Sequence, residues 1–136
     1  MRFELREHTA DIAVAAEGKT LGDAFAGVAN GLAAAMCDEI PEMGERFDLG
    51  VTAENREALC YEYLANLIYQ RDIRGVLPVE NRATIRRVND DWHLDASARG
   101  VPLSALDARE VKAVTYSEMQ ISEVEDGWQV YVVFDV

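Results

Sequence analysis

Strand patterns follow one another in the C-terminal half of this chain, with no helix between them. Residues 111–124 and 128–136 are typical of two long strands, and the Glu125-Asp126-Gly127 sequence between them is a hairpin turn signal. Two strands joined by so short a turn must run antiparallel, because a parallel crossover needs a dozen or more residues. We therefore do not expect a wholly parallel sheet.

Two helical patterns precede these strands. Thr20 fits a helix N-cap, and apolar residues then recur at helical spacing until residues 37–38. Gly27 and Gly31 weaken such a helix, so we expect them where it packs closely on a sheet. A second helical pattern spans about residues 55–71. Shorter strand patterns lie at 3–6, 12–16, 46–52, 76–79, 83–88 and 92–98. The sequence thus predicts one α+β domain over residues 1–136, with two helices packed on a largely antiparallel or mixed β-sheet.

The charge of the chain restricts its partners. Its 136 residues include 13 Lys and Arg against 25 Asp and Glu, which gives a net charge of −12. We expect no strong direct binding of nucleic acid, because phosphates need basic residues opposite them. No apolar run reaches the roughly 18 residues of a membrane span, and the N-terminus lacks a secretory signal, so we expect a cytoplasmic protein. Only two lysines accompany eleven arginines, which suggests a salt-rich cytoplasm as a hypothesis.

The two cysteines indicate neither a metal site nor a disulfide. Cys37 and Cys60 lie within apolar helical patterns, form no CxxC pair and have no nearby histidine. We therefore expect two small buried hydrophobic side chains in a reducing compartment.

Three aspartates are the main candidates for chemistry, since the chain has no P-loop and no GxSxG, HExxH or GxGxxG motif. Asp38 follows the first predicted helix, where the negative end of the helix dipole disfavours a carboxylate unless a cation is near. Asp135 lies in the last predicted strand, and Asp11 follows His8 in a His-Thr-Ala-Asp sequence. Carboxylates suit Ca²⁺ or Mg²⁺ better than Zn²⁺. Spacing alone also allows solvated acids and turn-capping residues.

Several motifs resemble those of the archease family, in the order in which that family has them. They are His-Thr-Ala-Asp at 8–11, Gly-Lys-Thr-Leu at 18–21, Met-Cys-Asp at 36–38, Glu-Val-Lys-Ala-Val-Thr-Tyr at 110–116 and Val-Phe-Asp-Val at 133–136. The resemblance extends from about residue 5 to the last residue. Three places differ from the family pattern: Ala108-Arg109 stand where the family has Gly-Thr, Ser117 where it often has His, and Cys37 where it commonly has Thr.

The resemblance implies a protein cofactor and not an enzyme. Archease assists the RtcB-type RNA ligase of tRNA splicing, promoting guanylylation of the ligase and its multiple turnover, while GTP and Mn²⁺ belong to the ligase. The family's Ca²⁺-like metal site maps onto Asp11, Asp38, Asp135 and the backbone of Val136. Partner-contact candidates are His8, Glu110, Lys112, Thr115 and Tyr116. For these five a purely structural role is an equal alternative, with Glu110 and Lys112 paired on a strand face and Tyr116 half-buried.

Two other functions are open at this point. The protein could be a general chaperone or modulator of RNA-modifying enzymes, which the residues do not distinguish from a ligase activator. Paired carboxylates with a divalent ion could also activate water in a metal-dependent hydrolase, although the only general base in view is His8.

Overall fold

The computed structural model describes residues 11–136, and the predicted strand at 3–6 lies outside them. The elements in chain order are β1 (Asp11–Gly18), α1 (Leu21–Met36), β2 (Glu45–Ala53), α2 (Arg56–Arg74), β3 (Val76–Val88), β4 (Asp91–Pro102), a short 3-10 turn (Leu103–Ala105), β5 (Ala113–Val124) and β6 (Gly127–Asp135). This order confirms the α+β prediction. No helix in the described part of the chain has the length and apolar character needed to cross a membrane.

The strands described within residues 11–136 form two antiparallel sheets, where the sequence predicted a single sheet. Sheet A has the order β1-β6-β5, and sheet B has the order β2-β4-β3. Helix α1 packs against β1 and β6 of sheet A and β3 of sheet B, while α2 packs against β5 of sheet A and all three strands of sheet B. The division is explained by this packing, because each helix buries apolar surface against both sheets.

Helix α1 begins after Thr20, as the sequence predicts. The Thr20 hydroxyl accepts a hydrogen bond from the Asp23 backbone N–H at 3.0 Å. Gly31 faces β1 so closely that an added Cβ would lie 2.6 Å from Cγ1 of Val14, and at Gly27 it would lie 3.0 Å from Cβ of Ala16. The expectation that these glycines permit close packing on a sheet is confirmed.

Helix α2 has recognisable signals at both ends. The Asn55 side chain accepts from the Ala58 N–H at 2.8 Å, and Gly75 ends the helix in the left-handed conformation at φ 65°. The helix extends three residues beyond the predicted end. Its buried face meets α1, where the rings of Phe25 and Tyr63 stack at 6.4 Å between centroids.

Strand β3 is continuous, whereas the sequence predicted separate strands at 76–79 and 83–88. Its pairing with β4 shifts between Val79 and Arg82. At this bulge Glu80 has a φ of 48°, and the Asn30 side chain on α1 accepts hydrogen bonds from the backbone N–H and the side-chain amide of Asn81, at 2.8 and 2.9 Å. Hydrogen bonds to a helix residue distant in sequence thus pair the backbone N–H group that the bulge leaves outside the ladder, and the strand continues after the bulge.

Candidate functional site

Two of the predicted metal ligands face each other at one end of sheet A. Asp11 on β1 is the register partner of Asp135 on β6. Their neighbours Ile12 and Phe134 face the core, so both aspartate side chains lie on the outer, solvent-exposed face. Directly opposite residues have Cβ atoms about 4.5–5.5 Å apart, and like charges in that position repel. A hard divalent cation is the kind of group that offsets such repulsion.

A short segment joins this end of sheet A to the end of α1. The backbone N–H of Lys112 donates to the carbonyl of Asp135, and that of Arg109 donates to the carbonyl of Met36, both at 2.8 Å. Three residues of extended chain span at most about 11 Å. The segment 109–112 therefore holds the C-terminal end of α1, and Asp38 just beyond it, at the same end of the molecule as Asp135.

Arg109 itself supplies the positive charge that α1 lacks. The last turn of α1 contains no basic residue. The Arg109 guanidinium donates to the carbonyl of Ala35, and the buried Arg71 of α2 donates to the carbonyl of Arg109 at 3.2 Å. A cation at a helix C-terminus is favourable because the free carbonyls there carry partial negative charge. Arg109 was not among the predicted site residues, and the sequence signal that points to it is the absence of a basic residue from the end of α1.

The complete predicted ligand set is not found as one cluster. Within residues 11–136, no group of three or more His, Cys, Asp or Glu side chains is arranged to hold a metal ion. The structure pairs Asp11 with Asp135, while Asp38 is exposed beyond α1 and Val136 is half-buried after β6. The donor chemistry of the aspartate pair fits a hard cation, but the four-residue site stays a prediction.

The predicted contact residues lie on the 109–112 segment and on β5, apart from His8, which is outside the described residues. Glu110, Lys112 and Tyr116 are exposed, and Thr115 is half-buried. Ala113, at the start of β5, is paired with Asp135. The Glu-Val-Lys-Ala-Val-Thr-Tyr sequence at 110–116 therefore leads from the end of α1 past the carboxylate pair and along β5 of sheet A.

A bulge in β5 presents Tyr116 to solvent. The pairing of β5 with β6 is interrupted between Thr115 and Gln120, and the Thr115 hydroxyl accepts from the Ser117 N–H at 2.8 Å. The Tyr116 ring stacks on Tyr61 of α2 with centroids 4.4 Å apart and planes inclined by 5°. Partial burial, followed by the nearby Glu62 carboxylate, raises the pKa of Tyr116. Tyr61 was not predicted as the partner of Tyr116.

Both cysteines are buried and free, as predicted. The Cys37 thiol donates to the carbonyl of Glu39 at 3.2 Å. Burial, with a smaller effect from Glu57, raises the pKa of Cys60 to about 12. A thiol in that state is a poor nucleophile and a poor metal ligand, since the thiolate does that chemistry.

Comparison with known proteins gives the family. The sequence model of the Archease protein family (MTH1598/TM1083) matches residues 3–136. This chain belongs to the archease family. Protein archease of Thermococcus gammatolerans is 37% identical over 140 residues, and the match covers 99% of each chain. Protein archease of Pyrococcus furiosus is 33% identical over 144 residues, again with 99% of each chain covered.

Solved structures share the archease fold. Protein 1598 of Methanobacterium thermoautotrophicum matches with a TM-score of 0.82 at 28% identity, covering 98% of this chain and 96% of that one. A Thermotoga maritima structure, described as an archease and possible chaperone, matches with a TM-score of 0.64 at 21% identity, covering 100% and 98% of the two chains. The second likeness is evidence for the fold alone.

Proposed function

We propose that this archease-family protein is a cytoplasmic protein cofactor of an RtcB-type RNA ligase in tRNA splicing. In this role it promotes guanylylation of the ligase and repeated turnover, and joins no RNA itself. The family match over residues 3–136 carries the proposal.

The end of sheet A is the surface that we assign to this activity. It combines the exposed Asp11–Asp135 pair with the exposed side chains of Glu110 and Lys112. The 109–112 segment is fixed at both ends by backbone hydrogen bonds, so these side chains start from a defined position. A preorganised surface of this kind binds with less loss of conformational freedom than a mobile loop.

A Ca²⁺-like divalent cation is the cofactor that we propose for the carboxylate pair. Asp11 and Asp135 would supply carboxylate oxygens, with Asp38 and the Val136 backbone as the further oxygen donors. When bound, the cation would neutralise the two opposed carboxylates. The chain's own contribution is to hold these oxygens at the end of a hydrogen-bonded sheet, where β1 and β6 fix their separation.

A general chaperone or modulator of RNA-modifying enzymes is the second candidate, since the family match does not identify the partner. The two functions differ in their partner. A ligase cofactor acts only on an RtcB-type ligase, whereas a general modulator also raises the activity of unrelated RNA-modifying enzymes.

Ligase turnover with and without this protein is the direct test. The assay counts RNA molecules joined per ligase molecule with excess RNA, GTP and Mn²⁺. We expect several turnovers only when the wild-type protein is present, and much weaker stimulation by Asp11→Asn and Asp135→Asn. Asp126→Asn is the matched control, because Asp126 is also exposed but precedes β6 at the opposite end of the strand. Absence of stimulation by the wild-type protein would refute the proposed function.

Thermal unfolding tests the cation separately. A ligand at a hundredfold excess over its dissociation constant stabilises the folded state by about 2.7 kcal/mol. Calcium should therefore raise the melting temperature of the wild type and of Asp126→Asn but not of Asp135→Asn, and a chelator should reverse the rise. Equal shifts in all three proteins would show that the carboxylate pair is not the binding site.

A further inference from the structure

The outward side of α2 carries a row of four apolar side chains, of which two pack partly against the core and two are largely exposed. Tyr61, Ala65, Tyr69 and Ile73 recur every four residues and form one stripe, which we call the α2 outer face. Tyr69 is 57% exposed and Ile73 is 58% exposed. Large side chains exposed to this extent in one contiguous stripe mark an interaction surface more often than isolated ones do.

Tyr116 extends this stripe onto the neighbouring sheet. Its ring stacks on Tyr61, and 52% of Tyr116 is still exposed. Among the strands described within residues 11–136, β5 lies at an edge of sheet A, and none of them covers that side. The exposed ring face of a tyrosine attracts the guanidinium or ammonium group of a partner.

The charges on the α2 outer face are acidic. Glu62 is exposed, and the carboxylate of Asp72 is 67% exposed while lying 3.8 Å from Arg71. Because successive helical residues turn by about 100°, Glu62 lies within 20° of Tyr69, and Asp72 lies within 20° of Tyr61. Both carboxylates therefore border the apolar stripe.

The arginines of α2 point elsewhere. Arg56 packs over the ring of Trp128 at 5.2 Å, and Arg74 packs over the ring of Phe47 at 4.5 Å. Arg71 is buried. The helix therefore directs its basic groups onto its own domain and leaves an apolar stripe with an acidic border on the outside.

We propose that the α2 outer face, extended by Tyr116, docks onto a protein surface with apolar side chains at its centre and arginines or lysines around them. This inference rests on the proposed function and names the RNA ligase as the partner. An enzyme that holds RNA needs basic residues near its substrate, and a chain of net charge −12 is steered toward such a surface. A second copy of this chain is disfavoured, since two acidic faces would repel.

The test measures the dissociation constant for the ligase in two variants of the full chain, the Tyr69→Ser/Ile73→Ser double variant and Glu62→Lys. The control is the Val124→Ser/Glu125→Lys double variant, which removes an exposed valine and reverses a charge at the β5–β6 turn. Melting curves verify that every variant is folded. We expect at least tenfold weaker binding for the two α2 variants and less than a twofold change for the control. Added salt should weaken wild-type binding more than it weakens binding of Glu62→Lys.

The outcomes separate this inference from the proposed function. If the wild type stimulates the ligase and both α2 variants bind it as tightly as the wild type, the docking surface is wrong while the function stands. If the wild type neither binds nor stimulates the ligase, both fail. A dimer in sedimentation experiments that the Tyr69→Ser/Ile73→Ser variant dissociates would also overturn the docking proposal, because a second copy would then cover the stripe.

Discussion

Replacing Gly31 with alanine sets two effects of similar size against each other. Alanine favours a helix over glycine by about 1 kcal/mol. The added Cβ, however, would lie 2.6 Å from Cγ1 of Val14, about 1 Å inside the optimal carbon–carbon separation of roughly 3.5–4.0 Å. Overpacking of this kind costs about 1–3 kcal/mol. We therefore expect Gly31→Ala to lower the free energy of unfolding by about 1 kcal/mol.

The Val14→Ala background should reverse the sign of this effect. With Cγ1 removed, the nearest Val14 atom to the new methyl group is Cβ at 3.8 Å, an ordinary contact. Gly31→Ala should then stabilise the protein by about 1 kcal/mol through helix propensity alone. Ala34→Gly calibrates that propensity, because Ala34 is an exposed position on the same helix.

Urea unfolding measures the free energy of unfolding of the two single variants, the double variant and the Ala34→Gly control. The four values can be compared provided that the dependence of this free energy on urea concentration is unchanged. The coupling between positions 14 and 31 should be about 2 kcal/mol. Additive effects, to within about 0.5 kcal/mol, would refute the explanation that close approach of α1 and β1 requires glycine here. The result bears on function, because β1 carries Asp11.

Three further predictions concern single side chains. Arg109→Ala should lower the free energy of unfolding by about 1–2 kcal/mol, measured by urea unfolding, because it removes a charged donor to the Ala35 carbonyl and the cation at the end of α1; Arg109→Lys should lose less. The pKa of Glu80 is lowered in the folded protein, first of all by the hydrogen bond from Arg99. The stability that Glu80 contributes is therefore present above its unfolded-state pKa, near 4.5. That stability is lost as the pH falls through the lower folded-state pKa. Unfolding measured against pH should accordingly show a smaller acid loss for Glu80→Gln than for the wild type. Burial raises the pKa of Cys60 to about 12, so iodoacetamide at pH 8 should leave Cys60 of the native protein unmodified by mass spectrometry, and alkylation as fast as in urea would contradict its burial.

The elements of the fold were predictable where the determining residues are close in sequence. Thr20 and Asn55 bind backbone N–H groups three residues ahead of them, and Gly75 ends α2. The Asp126-Gly127 turn joins β5 to β6, as its sequence indicates. Each of these signals acts within one turn of the chain, so no knowledge of the tertiary fold is needed to interpret it.

The arrangement of the strands was not predictable in the same way. Alternation of apolar and polar residues identifies a strand and its buried face, but it does not identify the neighbouring strand in the sheet. The separation into two sheets depends on each helix packing against both of them. The continuity of β3 depends on Asn30, which lies about fifty residues before the bulge that it stabilises. Arg109 likewise caps a helix that ends far earlier in the chain.

The aspartate pair shows how a site can follow from core packing. Ile12, Val14 and Ala16 of β1 face the core opposite Phe134, Val132 and Val130 of β6. A slip of one residue in this register would turn one row of apolar side chains outward, so the core strongly disfavours it. A slip of two residues would preserve the faces but move one aspartate about 7 Å along its strand from the other. The observed register is thus selected by apolar contacts, and it places two like charges opposite each other at the sheet end. Sequence spacing identifies both side chains as outward-facing, but only the pairing of β1 with β6 makes them a pair.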